Sequence, residues 1–326
     1  MSSAERSSAA KPESKSGRVA VKCEKTPVAL DGGWAGFVLA SGVAEISPHE
    51  RRDRRPTAED WRSFLNQLVT DAAELPGYAP LKFSPSVEVI RGLISCAAGE
   101  PVAVVCKRAR HTSARRRVLR ALGASRERRN FERALRLLRG GINTAQPLAL
   151  IERRAPPATW LVTRYIPNLV DLDQVALARL ARVESRSLRS VKNAIIASVA
   201  ELCTQIEREG LIHRDLKASN ILLEHWDGRD GPVRTILVDL DGLRPPRFWE
   251  SRHNERALLR LAASLAEHSW VTHTDRCRFL RAYLRQTSAR PREWKGRFRA
   301  MQGPVMEYLR RARRRKSQKL DGYAGG

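Results

Sequence analysis

The chain has 326 residues, and 60 Lys plus Arg against 35 Asp plus Glu give it a net charge of +25. That length suffices for two lobes around a substantial core, and the excess charge implies an anionic partner: nucleic acid, acidic lipid or a phosphorylated glycan. Five scattered cysteines without CxxC spacing argue against a disulfide framework and for a reducing compartment, the apolar runs are too short to cross a bilayer, and the Ser-, Ala- and Lys-rich start lacks the apolar stretch of a signal peptide.

Residues 107–139 hold 13 basic and 2 acidic side chains and residues 276–319 hold 16 and 2, so these two segments carry the whole excess. Residues 1–27 are polar and small and are expected to form a disordered basic tail. Residues 28–79 read as an N-terminal extension. Gly33–Ala40 suggests a strand, and Ala58–Leu75 a helix with Trp61, Phe64, Leu65, Leu68 and Ala72 on one stripe. From Pro80 the pattern turns to strands: Leu81–Phe83, Val87–Arg91, Leu93–Cys96 and, beyond the turn Ala98-Gly99-Glu100, Pro101–Lys107. After the first basic segment a helix is expected over Ser125–Arg139, with Phe131, Leu135 and Leu138 facing inward. Glu127 lies one turn before Phe131, and Glu132 lies about 100° round from it. Gly140-Gly141 ends the helix. Pro147–Glu152 and Thr159–Tyr165 read as strands. Ser187–Glu209 carries Val191, Ile195, Val199, Leu202 and Ile206 at helical spacing and stops at Gly210.

That helix leads into His213-Arg214-Asp215-Leu216-Lys217-Ala218-Ser219-Asn220, ahead of the apolar Ile221-Leu222-Leu223. The pattern H-R-D-x-K-x-x-N places a carboxylate, an ammonium and an amide on one short loop, as in the catalytic loop of kinase-like phosphotransferases. Asp215 would accept the proton of the attacking hydroxyl, Lys217 would offset charge on the moving phosphoryl group, and Asn220 would hold magnesium. His213 is expected to brace the loop. Downstream, the apolar run Thr235–Val238 ends in Asp239-Leu240-Asp241-Gly242, where kinases place the metal-binding D-F-G. Asp239 is the expected ligand. Asp241 stands where the motif has Gly and either assists or caps the turn.

With that loop in place, Val102–Lys107 resembles the V-A-I-K strand, and Lys107 would contact the ATP phosphates. Glu127, in preference to Glu132, would pair with Lys107. No GxGxxG precedes Lys107; the nearest substitute is Lys82–Ser86, with Ser84 among the hydroxyl and backbone groups covering the phosphates. Tyr165 opens the expected hinge, where backbone groups near Arg164–Ile166 would hydrogen-bond adenine. The expected architecture is α+β and bilobal, a protein-kinase-like fold with a small β-rich N-lobe over residues 80–164, a mainly helical C-lobe over 165–300 and a basic tail over 301–326.

Several pieces together resemble a known family, the bacterial lipopolysaccharide core kinases of the Kdo/heptose (WaaP-like) group. They are the helix from Ser125, the "G-I-x-T…P-L-A" run at Gly141–Ala149, the HRD loop, the Val238–Asp241 turn and Asp275–Leu284, similar to that family's "D-x-x-R-F-L-R-x-Y". The family often has an acidic residue before the helix aromatic, where this chain has Asn130. The resemblance implies ATP-dependent phosphorylation of a sugar hydroxyl on an anionic lipid-linked glycan, with Mg2+, in the cytoplasm at the inner face of the cytoplasmic membrane.

Two other readings stand beside it. HRDLKASN also suits a Ser/Thr protein kinase, but no A-P-E follows Asp239 and Pro245-Pro246 interrupts the segment that would dock a peptide. A non-catalytic basic binder could use Arg115–Arg117 and Arg313–Lys316. These runs lack interleaved aromatics or a recognised motif, which disfavours nucleic acid and suits acidic lipid head groups equally well. His268, His273 and Cys277 lack a fourth ligand and are expected to bind no metal.

Overall fold

The computed structural model describes residues 24–39, 56–109, 125–247, 253–287 and 293–324, apart from positions 86, 98, 156, 225, 230 and 267. Most of the expected N-terminal tail, Cys23 and the run Arg115–Arg117 lie outside these residues. The protein is α+β and bilobal, with a β-rich N-lobe and a helical C-lobe.

The N-lobe is one antiparallel sheet of seven strands in the order β1-β2-β6-β7-β5-β4-β3. These are β1 (Lys25–Leu30), β2 (Trp34–Leu39), β3 (Ala79–Ser84), β4 (Val87–Ile94), β5 (Val102–Ala109), β6 (Pro147–Arg153) and β7 (Ala158–Arg164). Segments 87–91 and 93–96, expected as two strands, form the single β4, because Gly92 sits in register opposite Val104 without breaking the ladder. The stretch set apart as an N-terminal extension contributes to this sheet: β2 pairs with β6, and Gly36 is required there, since a Cβ would lie 1.9 Å from the Leu150 carbonyl oxygen.

Two helices cover the sheet. On α1 (Ala58–Thr70), shorter than expected, Thr57 and Asp60 form a reciprocal cap. Its Trp61, Phe64, Leu65 and Leu68 pack with Ile90, Val104, Ile151 and Trp160. On α2 (Arg126–Arg139), capped by the Ser125 hydroxyl, Phe131 and Leu135 pack with Leu150 and Leu161. Consecutive residues of one strand thus enter different cores, Leu150 beneath α2 and Ile151 beneath α1, as the two-residue period of a strand requires.

The C-lobe is built on α3 (Ser185–Arg208), α4 (His253–Ser264), α5 (His273–Thr287) and α6 (Trp294–Ala324), so part of the expected C-terminal tail is helical. The stripe Val191, Ile195, Val199, Leu202 and Ile206 is buried in its core. Short strands shape the floor of the cleft: β8 (Leu169–Asp171), β10 (Ile221–Glu224) and β11 (Arg234–Leu237) in one sheet, and β9 (Ile212–His213) with β12 (Leu243–Arg244) in another. No described helix is long and apolar enough to cross a membrane. The described cysteines are free.

Candidate active site between the lobes

The HRD sequence starts on β9 with His213 and runs into the loop that follows, whose geometry is set from beneath. His213 is buried, with its Nε2 3.1 Å from the Asp239 carbonyl oxygen, and the Arg214 N–H donates to the Gly242 carbonyl at 2.8 Å. Gly242 lies so close that an added Cβ would sit 3.1 Å from both the Asp215 nitrogen and the His213 ring. Asp215 and Lys217 are left open to the cleft, their side chains 54% and 43% exposed and 3.4 Å apart. Asn220 is buried; its Nδ2 donates to the Asp215 carbonyl at 2.9 Å, which leaves Oδ1 as an acceptor.

Strand β11 delivers the second acidic group. The Thr144 hydroxyl donates to the Leu237 carbonyl at 2.7 Å and the Leu237 N–H donates to the Asn143 carbonyl at 2.9 Å, so the G-I-N-T run of the N-lobe holds the strand's end. The Val238 N–H donates to the Asn220 carbonyl, which ties this turn to the catalytic loop. Asp239 then adopts a left-handed backbone, φ 57°, a conformation Asp tolerates better than most residues. Its carboxylate is exposed and makes no ion pair among the described residues.

From the N-lobe comes Lys107 on β5. Burial lowers its pKa from the ordinary lysine value, the charges of Asp239 and Glu127 oppose that shift, and the charges of Arg126 and Lys82 add to it. His213 is likewise lowered by burial, against the pull of Asp239 and Asp215. Asp239 is the acidic group that acts on both Lys107 and His213.

The two candidate glutamates part company. Glu127 is 1% exposed and neither of its carboxylate oxygens has a hydrogen-bond partner, whereas Glu132 lies at the surface paired with Lys25 at 2.6 Å. Glu127 and Lys107 make no direct ion-pair contact. Ser84 closes the β3–β4 turn, its hydroxyl hydrogen-bonded to the Val87 N–H and carbonyl. At the hinge, the N–H groups of Arg164 and Tyr165 donate to the Gln146 and Ala103 carbonyls, and the Tyr165 ring lies 4.8 Å from the Arg91 guanidinium. Those two amide donors are therefore turned into the N-lobe, and an adenine would have to find carbonyls or the Ile166 N–H instead.

Sequence reasoning left unassigned a further set of contacts. Asp241 accepts from Asn130 Nδ2 at 2.7 Å and pairs with Arg126, while Arg133 donates to the Leu240 and Asp241 carbonyls. The available signal was spacing: Asn130 lies three residues after Glu127, on the same helix face.

A β-rich lobe joined to a helical lobe, with an HRD loop tied to an acidic turn, is the arrangement of a protein-kinase-like phosphotransferase. The sequence profile of the lipopolysaccharide kinase (Kdo/WaaP) family matches residues 102–283, more than half of the chain, and the chain belongs to that family. Among solved structures it is similar to "WaaP in complex with acyl carrier protein", at 20% identity and a TM-score of 0.54, covering 78% of this chain and 98% of that one. A search of the curated proteins found no significant match.

Proposed function

We propose that the protein transfers the γ-phosphoryl group of ATP to a sugar hydroxyl of the lipopolysaccharide core or a related anionic lipid-linked glycan. The observation that supports this reading is that the Asp239 turn is hydrogen-bonded to the catalytic loop, through His213 and through the Val238 N–H to Asn220, while the Asp239 charge acts on Lys107 of β5. Lys107 would hold the phosphates, Asp215 would orient and deprotonate the acceptor hydroxyl, and Lys217 would offset charge as it transfers. The donor set fits magnesium: an exposed Asp239 carboxylate without an ion pair and an Asn220 Oδ1 freed as acceptor are the hard oxygen ligands that ion prefers. When bound, magnesium would neutralise phosphate charge. Cover by the β3–β4 turn would come from backbone groups, since the Ser84 hydroxyl already binds Val87.

A glycan acceptor is favoured over a peptide because no A-P-E motif separates Asp239 from α4. The basic segments suit an acidic membrane surface, and we place the enzyme at the cytoplasmic face of the inner membrane. The test is transfer of labelled phosphate from ATP to lipid-linked glycan, protein and free sugar acceptors. Labelling of the glycan alone is expected; labelling of protein alone would overturn the reading.

A second reading is favoured by a separate observation. Between α3, α4, α5 and α6 lies a cavity of about 260 Å³ lined by apolar residues including Ile195, Val199, Leu261, Phe279 and Val305. The similar WaaP structure is a complex with acyl carrier protein, and a cavity of this lining suits an aliphatic chain. Co-purification of an acylated carrier protein, lost in Leu261→Trp, is the expected result.

A further inference from the structure

The turn Asp239–Gly242 is gripped from both lobes. On the C-lobe side, His213 and the Arg214 N–H hold the carbonyls of Asp239 and Gly242. On the N-lobe side, α2 reaches down with three side chains. Asn130, 5% exposed, donates from Nδ2 to Asp241 Oδ1 at 2.7 Å. Arg133 donates from Nη1 to Asn130 Oδ1 at 3.1 Å and to the Leu240 carbonyl at 3.1 Å, so it orients the amide and holds the turn's backbone at once. Arg126 pairs with the other oxygen of the same carboxylate.

We propose that Asn130 and Asp241 form an inter-lobe latch: Asp241 is a positioning residue, not a second metal ligand, and through it α2 sets where the Asp239 carboxylate stands relative to Lys107. The inference rests on the assignment of Asp239 to the metal given above. The chemistry of the pair supports it. Asp241 Oδ1 accepts from Asn130 and Oδ2 faces the Arg126 guanidinium in an ion pair, so the carboxylate is directed at α2. An amide at position 130 is the side chain that can donate to one carboxylate while accepting from Arg133. A carboxylate at that position would face Asp241 across a hydrogen-bond distance with no proton between them. Asp241 also neutralises Arg126, whose charge opposes that of Lys107. Asn130 thus departs from the acidic residue expected before the helix aromatic because its partner on the turn already carries the negative charge.

A reciprocal exchange tests the latch. Asn130→Asp sets two carboxylates against each other and is expected to lower kcat about 100-fold, the order produced by a displacement of about 1 Å in a catalytic constellation. The magnesium concentration giving half-maximal rate should rise while the KM for acceptor stays within a factor of about two. Adding Asp241→Asn restores one donor and one acceptor with their roles reversed and should recover activity to within about tenfold of wild type. If Asp241 instead ligates the metal, Asp241→Asn alone loses as much as the double variant, and no rescue occurs. That outcome would sink the latch. Should Asn130→Asp fail to fold, Asn130→Ala removes the donor without adding charge and carries the same expectation.

Hydrogen exchange of the segment 236–244 gives a readout independent of turnover. The latch requires faster exchange in Asn130→Asp and recovery in the double variant, and unchanged exchange in both refutes it. A wild-type protein that labels no acceptor would defeat the proposed function, leaving the latch to be judged by exchange alone.

Discussion

Replacing Glu127 by Met separates a residue that serves the site from one that serves the fold. Glu127 is buried on α2 with both oxygens lacking hydrogen-bond partners. Such a group opposes folding: an unsatisfied buried polar group costs about 1–3 kcal/mol, more when charged. Met has nearly the same length, fills the same space and removes both oxygens. Against this gain stands the loss of an acidic residue from the first turn of the helix, about 0.5 kcal/mol. The net expectation is a protein more stable by about 1–2 kcal/mol, with Tm raised by about 2–8 °C for a chain of this size. Function should move the other way. Lys107 loses one of the two acidic charges that support its protonated form and keeps only Asp239. The Glu127 charge acts on Lys107 without a hydrogen bond, so its loss is worth about 1 kcal/mol and affinity for ATP should fall roughly fivefold. Thermal unfolding and ATP titration of the same preparation measure both quantities. A variant that unfolds earlier yet binds ATP as wild type does would show that Glu127 is a packing residue and that the pairing argument is mistaken.

Asp239→Asn retains a residue tolerant of the left-handed backbone and should lower phosphate transfer by about 10²–10³-fold with Tm unchanged, read by initial rates and calorimetry. Gly242→Ala should push the catalytic loop, since its Cβ meets the Asp215 nitrogen and the His213 ring at 3.1 Å; kcat should fall more than stability, and equal effects would argue against a loop displacement. His213 has a folded-state pKa below the ordinary 6.5, because burial disfavours its charged form. The unfolded chain therefore binds more protons in the window between that lowered value and 6.5. The stability this histidine contributes is present above 6.5 and is lost as pH falls through the window. Denaturant unfolding from pH 7.5 to 5 should show the loss in wild type and a smaller one in His213→Asn.

The parts legible in sequence were those coded within one element or one loop. The HRD loop and the Asp239 turn are short runs whose chemistry depends on residues a few positions apart. The stripe of α3 follows from helical period alone, and the Kdo/WaaP family could be named from such runs. The parts that escaped depend on which distant segments meet. Lys25–Leu30 carries too little apolar surface to declare itself a strand, and becomes one by pairing with Trp34–Leu39, which in turn pairs with Pro147–Arg153. Asn130 registered only as a departure from a family pattern, because its partner lies 111 positions away.

The amino-acid order alone thus determined the chemistry on offer: a carboxylate, an ammonium and an amide on one loop, and a carboxylate closing an apolar strand. Tertiary structure decided which glutamate stands near Lys107, which amides of the hinge were already engaged, and that α2 grips the Asp241 turn. Those choices turn on burial, which removes water as a competing partner and makes each polar group answer to whatever the fold sets beside it.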